Sequence, residues 1–321
     1  MSQTRFLYTF NYDFHHAELC KLESRQIFNS EETDRLIFSN VDADPSISPF
    51  IKNRIEITSL SNNYDDFLSK IKEENILTED FKIEYVRLEG DSRTSEERHE
   101  KLTDVGYCMV GESNFKQPTV TYAICNYKDY WYFGVYTKHD HDWHKHKKKP
   151  RTFSSSINID IAKTLISVAA KGDKTKQLLD ACCGVGTVLL EACCAGFNLE
   201  GCDINFKACN NSRENLQFFN YSTTVFCSDI KDLNKQYDSI IIDLPYNLYT
   251  YSNDEIVLNI IKSASKLAPR IVVVSISDIE TFINQSGLRV VDYCTVGKRG
   301  KSKFERRIWV CERVNRSDVH I

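Results

Sequence analysis

No apolar run in this chain approaches the ~20 residues that a membrane-spanning helix needs. The opening Met1-Ser2-Gln3-Thr4-Arg5-Phe6 has neither an apolar stretch nor a small-residue cleavage site, so no secretory signal is expected. Among twelve cysteines there is no Cys-x-x-Cys spacing, and the thiols sit in apolar, strand-like or helix-like surroundings where cysteine acts as a small hydrophobe. That disfavours a disulfide framework and fits a reducing cytoplasm. A general excess of positive charge is missing too: the net charge is −4, which argues against a uniformly basic coat for nucleic acid. Internal repeats and low-complexity tracts are absent, and the first 150 residues hold no glycine fingerprint.

The composition that remains is globular, with 41% hydrophobic and 27% charged residues, and 321 residues are enough for two or three domains. Phe6, Tyr8 and Phe10 alternate as in a half-buried strand, and 17–28 reads as a helix. Ile55 and Ile57 suggest a second strand, and Tyr64, Phe67, Leu68 and Ile71 mark one face of a second helix. Phe81, Ile83 and Tyr85 alternate again, and 120–124 with 130–135 predict a hairpin turning near 126–129. This is α+β material, divided near residue 60. Residues 137–156 form a polar, basic segment expected to be a linker, with Ser154, Ser155 and Ser156 as helix N-cap candidates. From residue 177 the pattern becomes strand, helix, strand, helix. Strand-like runs fall at 177–182, 199–204, 223–228, 239–243, 270–276, 288–296 and 306–312, with helices at 186–196, 205–219 and 254–268. Such alternation predicts an α/β doubly wound, Rossmann-like sheet of seven strands over 157–321, its last two strands antiparallel.

The chemistry concentrates at strand ends. Leu178-Leu179-Asp180 breaks into Ala181-Cys182-Cys183-Gly184-Val185-Gly186-Thr187, a glycine turn that opens a helix. Glycine permits close backbone approach, and the helix N-terminus offers unpaired N–H groups to an anion. Asp203 closes the next strand, nineteen positions beyond Gly184, where a carboxylate meets ribose hydroxyls. Asp229 ends a third strand beside Ile230 and faces where an adenine amino group would lie. A dinucleotide is disfavoured because Leu189 stands where the third glycine would permit close packing. S-adenosylmethionine fits instead, since it needs a carboxylate-binding loop, a ribose acceptor and adenine contacts but no pyrophosphate cradle. Turn glycines and capping aspartates are the plain structural alternative.

Ile240-Ile241-Ile242 delivers Asp243-Leu244-Pro245-Tyr246 to the same sheet edge. An exocyclic amine on guanine or adenine has its lone pair delocalised into the ring and attacks poorly. Acceptors for both N–H groups, the Asp243 carboxylate and the Leu244 or Pro245 carbonyl, would redirect that lone pair. Tyr246 offers a stacking face worth ~1–3 kcal/mol, which offsets part of the cost of unstacking a paired base. The alternative makes Asp243 a cap and Pro245 a strand terminator.

Asp180–Thr187 together with Asp243–Tyr246 resembles the class I amino-methyltransferases acting on nucleic acids, and in particular the THUMP-domain tRNA guanine-N2 methyltransferases. Lys149-Pro150-Arg151-Thr152-Phe153-Ser154-Ser155 resembles the segment that closes over the methionine end of the cofactor in that family. Gly106–Val120, with Gly111 and Pro118, resembles the last part of a THUMP domain. The resemblance implies a ferredoxin-like unit over 1–60, a THUMP-like RNA-binding unit over 61–136 and a class I methyltransferase domain over 157–321. It implies catalytic Asp243, Pro245 and Tyr246. It implies a cofactor site of Asp180, Cys182, Gly184, Gly186, Thr187, Asp203, Ile204, Asp229, Ile230 and Asp243 with Ser154 and Ser155. The expected enzyme is a cytoplasmic tRNA methyltransferase, monomeric or weakly dimeric, acting at guanosine 10 first and guanosine 6 second. Methylation of an amine in rRNA or DNA, or an inactive RNA-binding protein, are the alternatives. Leu244 replaces the first of two usual prolines, Asn247 a frequent glycine and Val185 a frequent serine.

Two basic stretches are candidates for phosphate. Residues 138–151 hold six cationic side chains against two carboxylates, and 297–307 hold six against one. Lys147, Lys148, Lys149, Arg151, Lys298, Arg299, Lys301 and Lys303 are therefore the expected RNA contacts, with solvated loops as the alternative. His139, His141, His144 and His146 with Asp140 and Asp142 have metal-binding side chains, but the neighbouring lysines repel a cation and a basic linker is the better fit. Cys193 and Cys194 are expected to face the core. Cytosine- or uracil-C5 methylation would need a nucleophilic cysteine near Asp243–Asn247, and none is there. No lysine-based set for ribose methylation is evident.

Overall fold

The computed structural model describes residues 5–153, 156–245, 254–297 and 305–314. The chain opens with β1 (Phe6–Phe10), α1 (Ala17–Phe28), β2 (Leu36–Ser39) and β3 (Ile51–Ser61). There follow α2 (Tyr64–Glu73), β4 (Leu77–Tyr85), α3 (Ser95–Gly106), β5 (Val110–Ser113) and the hairpin β6 (Val120–Tyr127) and β7 (Tyr130–Lys138). It then forms two compact units. The first holds residues up to Asn11, Glu31–Ser46 and Phe50–Asp140; the second holds Tyr12–Ser30, Ile47–Pro49 and the chain from His141.

The first unit is built on one sheet of order β2-β1-β3-β7-β6-β4-β5. Asn63 caps α2 by accepting from the Asp66 amide at 2.9 Å, which sets Phe67 and Ile71, one turn apart, onto the sheet. A capping box starts α3: the Glu97 amide donates to Thr94 Oγ1 at 3.2 Å and the Thr94 amide to the Glu97 carboxylate at 2.7 Å. Lys128 and Asp129 both take positive φ, the requirement of a two-residue turn between β6 and β7. The division expected near residue 60 falls inside β3, an eleven-residue strand that pairs with β1 on one side and β7 on the other. One sheet therefore runs across it. All five residues of β1 are buried, so the expected half-buried alternation gives way to burial on both faces.

The second unit adds α4 (Ile159–Ala170), β8 (Gln177–Asp180), α5 (Thr187–Ala195), β9 (Asn198–Asp203), α6 (Phe206–Phe218) and β10 (Val225–Cys227). It continues with β11 (Ser239–Asp243), α7 (Asp254–Leu267), β12 (Arg270–Ser275), α8 (Glu280–Gln285), β13 (Leu288–Gly297) and β14 (Glu305–Arg313). The sheet order is β10-β9-β8-β11-β12-β14-β13; the first five strands are parallel, and β14 inserts antiparallel between β12 and β13. The seven strands and the antiparallel last pair agree with the expectation from sequence. The order reverses direction beside β8, so β8 and β11 open a crevice at their carboxyl ends.

Helix α1 belongs to this second unit, although it precedes most of the first. Its Arg25 and Gln26 side chains converge on Asp292 of β13 at 2.8 and 2.6 Å, and Gln26 also accepts from Arg270 of β12 at 2.6 Å. Fully buried Glu23 accepts hydrogen bonds from Ser48 and from Ser167 of α4. Burial pushes its carboxyl up to about 7, against the opposing pull of those hydroxyls and Lys163.

The basic segment expected as a linker is held in the second unit from His141. A 3-10 turn over Asp142–Lys148 buries Trp143 and His146. His146 Nδ1 lies 2.7 Å from Glu191 Oε1 of α5, and Nε2 lies 3.2 Å from the Tyr221 hydroxyl. Two aromatic rings inside an otherwise charged run are the reason it packs. Asn158 rather than a serine takes the N-cap position of the following helix, without a side-chain hydrogen bond, and Ser154 and Ser155 lie outside the described residues. Cys193 and Cys194 are only half-buried, because α5 turns Leu189, Leu190 and Ala192 to the core instead. All twelve thiols are free.

Candidate active site

A cavity of about 690 Å³ occupies the crevice at the carboxyl ends of β8 to β11. Its walls come from Phe153, Ser156 and Ile157, from the glycine turn Asp180–Val185 with Thr187 and Val188, and from Asp203, Ile204 and Asn205 after β9. Ser228, Asp229 and Ile230 after β10, Asp243, Leu244 and Pro245 after β11, and Ile256 and Ile260 of α7 complete it.

Each acidic group is fixed in its own way. Asp180 ends β8 with 1% of its surface exposed, and its Oδ1 has no hydrogen-bond partner among the described residues. Burial, then Asp243, then Asp203 push its carboxyl well above the usual range. Asp203 accepts from the Gly184 amide at 2.9 Å and from the Asn205 amide at 2.8 Å, which ties the end of β9 to the glycine turn. Burial works against the charge on Asp229, but the Lys231 amide and ammonium outweigh it and hold the carboxyl below its ordinary value. Burial pushes the Cys182 thiol well above its ordinary value, and the surrounding carboxylates push it further. It is no thiolate nucleophile at neutral pH.

The cavity thus brings together Asp180, Cys182, Gly184, Thr187, Asp203, Ile204, Asp229, Ile230, Asp243 and Pro245 from the sequence expectation. Gly186 is the exception. It lies outside the lining, at φ +78, and a Cβ there would fall 2.3 Å from Ser212 Oγ of α6. Its glycine serves the close crossing of α5 and α6 rather than approach to a ligand. Ser154, Ser155, Tyr246 and Asn247 lie outside the described residues.

Among the expected RNA contacts, Lys147 and Lys148 are exposed, while burial holds the half-buried Lys149 ammonium below its ordinary value, opposed by Glu191. Arg151 is engaged with Glu214 at 2.6 Å. Lys298, Arg299, Lys301 and Lys303 lie outside the described residues. His139 and His146 are buried, and among the described residues no group of three or more His, Cys, Asp or Glu could hold a metal ion. Phe153 lies in the segment expected to close over the cofactor and does line the cavity; sequence reasoning missed Ile256 and Ile260 as walls, and Asn215 beneath the turn, because isolated residues in amphipathic helices carry no signal that they face a cavity.

An acidic, half-apolar pocket with an orphaned buried carboxyl oxygen suits a cationic ligand that also carries an adenosine-like apolar part. Among the described residues no cationic side chain lines the cavity to meet a pyrophosphate. Residues 145–274 match the family model of the methyltransferase small domain. The chain is an S-adenosylmethionine-dependent methyltransferase, and its second unit has the class I architecture expected for one. Over 263 residues it is 25% identical to a tRNA (guanine(10)-N2)-dimethyltransferase from Methanothermobacter thermautotrophicus, covering 73% of this chain and 76% of that protein. Solved structures that align with it include TrmN from Thermus thermophilus, with TM-score 0.47, 16% identity and coverage of 96% and 99% of the two chains. A predicted N6-adenine-specific DNA methylase from Listeria monocytogenes aligns with TM-score 0.45, 12% identity and 96% of each chain. No helix among the described residues is long and apolar enough to cross a membrane.

Proposed function

We propose that this enzyme methylates the exocyclic N2 amine of a guanosine in tRNA. The observation that carries this is the position of Asp243, Leu244 and Pro245 on the wall of the acidic cavity, in one continuous pocket with Asp180, Asp203 and Asp229. The tRNA guanine-N2 dimethyltransferase that aligns over most of both chains supports guanine N2 and tRNA as the target.

The chain's own residues divide the work. Asp180 at the start of the glycine turn would hold the amino-acid part of the cofactor, Asp203 its ribose hydroxyls, and Asp229 with Ile204 and Ile230 its adenine. When bound, S-adenosylmethionine supplies an electrophilic methyl on a sulfonium centre. The Asp243 carboxylate accepts one N–H of the guanine amine, and the Leu244 or Pro245 carbonyl accepts the other. Two acceptors in the plane of the amine leave its lone pair free of the ring and pointing into the cavity. The Leu244 amide donates to the Val274 carbonyl of β12 at 3.1 Å, which anchors this loop to the sheet. Tyr246, next in sequence, is the stacking face for the base. The first unit is the THUMP-like grip on tRNA, and Lys147 and Lys148 are basic contacts on the catalytic unit.

Nucleoside mass spectrometry of tRNA and rRNA from a strain lacking the gene tests this directly. Loss of N2-methylguanosine from tRNA, at position 10 before position 6, is expected. Intact tRNA with a loss of methylated adenosine or guanosine from rRNA would move the assignment to ribosomal RNA.

A further inference from the structure

Asn215 lies on α6, is fully buried and takes no part in the chemistry described above. Its carboxamide is nevertheless committed on every side. Nδ2 donates to the Arg151 carbonyl at 2.9 Å and to the Val185 carbonyl at 2.8 Å, and Oδ1 accepts from the Arg151 amide at 2.9 Å. Val185 is in the glycine turn and lines the cavity; Phe153, two residues beyond Arg151, lines the same cavity. One side chain therefore joins the extended segment leading to Phe153 to the turn that carries Gly184. Only an amide has the two donors and one acceptor this junction uses, so neither a carboxylate nor a hydroxyl replaces it. The Arg151–Glu214 ion pair at 2.6 Å braces the same junction on the exposed side, where such a pair contributes little.

We propose that Asn215 is a positioning residue for the cofactor: it locks the 151–153 strap to the glycine turn, so that both walls around the amino-acid end of S-adenosylmethionine keep one geometry. This rests on the assignment of the cavity as the cofactor site and of the glycine turn to the amino-acid end. Adenosine, which lacks that end, meets only the walls after β9 and β10. The lock therefore discriminates between two probes.

Calorimetry on the full chain with S-adenosylhomocysteine and with adenosine tests it. Asn215→Asp keeps the volume and the acceptor but sets carboxylate lone pairs against two carbonyls. It is expected to raise the Kd for S-adenosylhomocysteine about tenfold or more, a loss typical of buried unsatisfied hydrogen-bonding groups. The Kd for adenosine should change less than about twofold, within ordinary non-specific variation. Arg151→Pro deletes one donor at an exposed position and leaves Asn215 in place. It should shift S-adenosylhomocysteine alone, by a smaller factor, and decides the matter if the first variant does not fold. Equal losses for both probes, or none for either, would overturn the proposal. A wild-type chain that binds neither probe would instead remove the cofactor assignment of the cavity, and the proposal with it.

Discussion

Leu244 shows how one residue can serve the core and the site together. Its side chain is buried beside Ile242 and Val273, and its amide bonds to β12, so a proline here would lose both the hydrogen bond and the packing. The same residue lines the cavity. The two glycines of the turn differ in the same concrete way. A Cβ on Gly184 meets nothing nearer than the Cys182 carbonyl at 4.0 Å, whereas on Gly186 it collides with Ser212. Gly186→Ala should therefore destabilise the fold by roughly 2–3 kcal/mol, from left-handed strain plus the clash. Gly184→Ala should cost about 1 kcal/mol from strain alone; urea unfolding of the two variants checks the order. At Asp243, replacement by alanine removes the acceptor proposed to orient the amine. Turnover should fall about 100-fold or more, as when a preorganised hydrogen-bonding group is removed from other active sites. S-adenosylhomocysteine binding by calorimetry should change little; turnover near the wild-type rate would contradict the role given to this carboxylate.

At the scale of elements, sequence revealed what repeats locally and hid what depends on distant partners. The parallel strands β8, β11 and β12 were legible because each is an aliphatic run ended by a polar residue or a turn. Helix α3 was not, since Ser-Glu-Glu-Arg-His-Glu-Lys has no apolar face and only Val105 is buried. Strands β2 and β5 were missed because each is four residues long, and β5 is exposed throughout. The span of α1 was clear from its periodicity, but its membership of the second unit was not. That membership depends on Glu23, Arg25 and Gln26 meeting residues far along the chain. Glu23 makes the packing of α1 depend on pH. Its folded carboxyl titrates near 7 against an ordinary 4.5, so the folded state holds the proton longer than the unfolded chain does. The associated stability is full below about 4.5 and is lost as pH rises through 7, amounting to about 3 kcal/mol. Glu23→Gln keeps a neutral acceptor for the two serine hydroxyls. Denaturant unfolding at pH 5 and pH 8 should show a smaller difference for the variant than for wild type; equal differences would mean that the buried carboxyl does not govern this pH dependence.

For the molecule as a whole, the cavity was more legible than the surface that brings substrate to it. Ten of the residues expected at the site line one pocket, because carboxylates at the ends of parallel strands must converge wherever a doubly wound sheet reverses its order. Residues acting from beneath, such as Asn215 and Ser212, left no trace in the sequence, since a polar residue inside an amphipathic helix reads as solvent-facing. The basic segment before the catalytic unit was legible as charge, but its buried anchors, Trp143 and His146, belong to packing. Acceptors at the tip of β11 are proposed to make an exocyclic guanine amine reactive. Replacing the target guanosine of a tRNA transcript by inosine removes that amine and leaves the rest of the base in place. With isotopically labelled S-adenosylmethionine and nucleoside mass spectrometry, the guanosine transcript should yield N2-methylguanosine and the inosine transcript no methylated nucleoside at that position; a methyl group appearing on inosine would contradict the account.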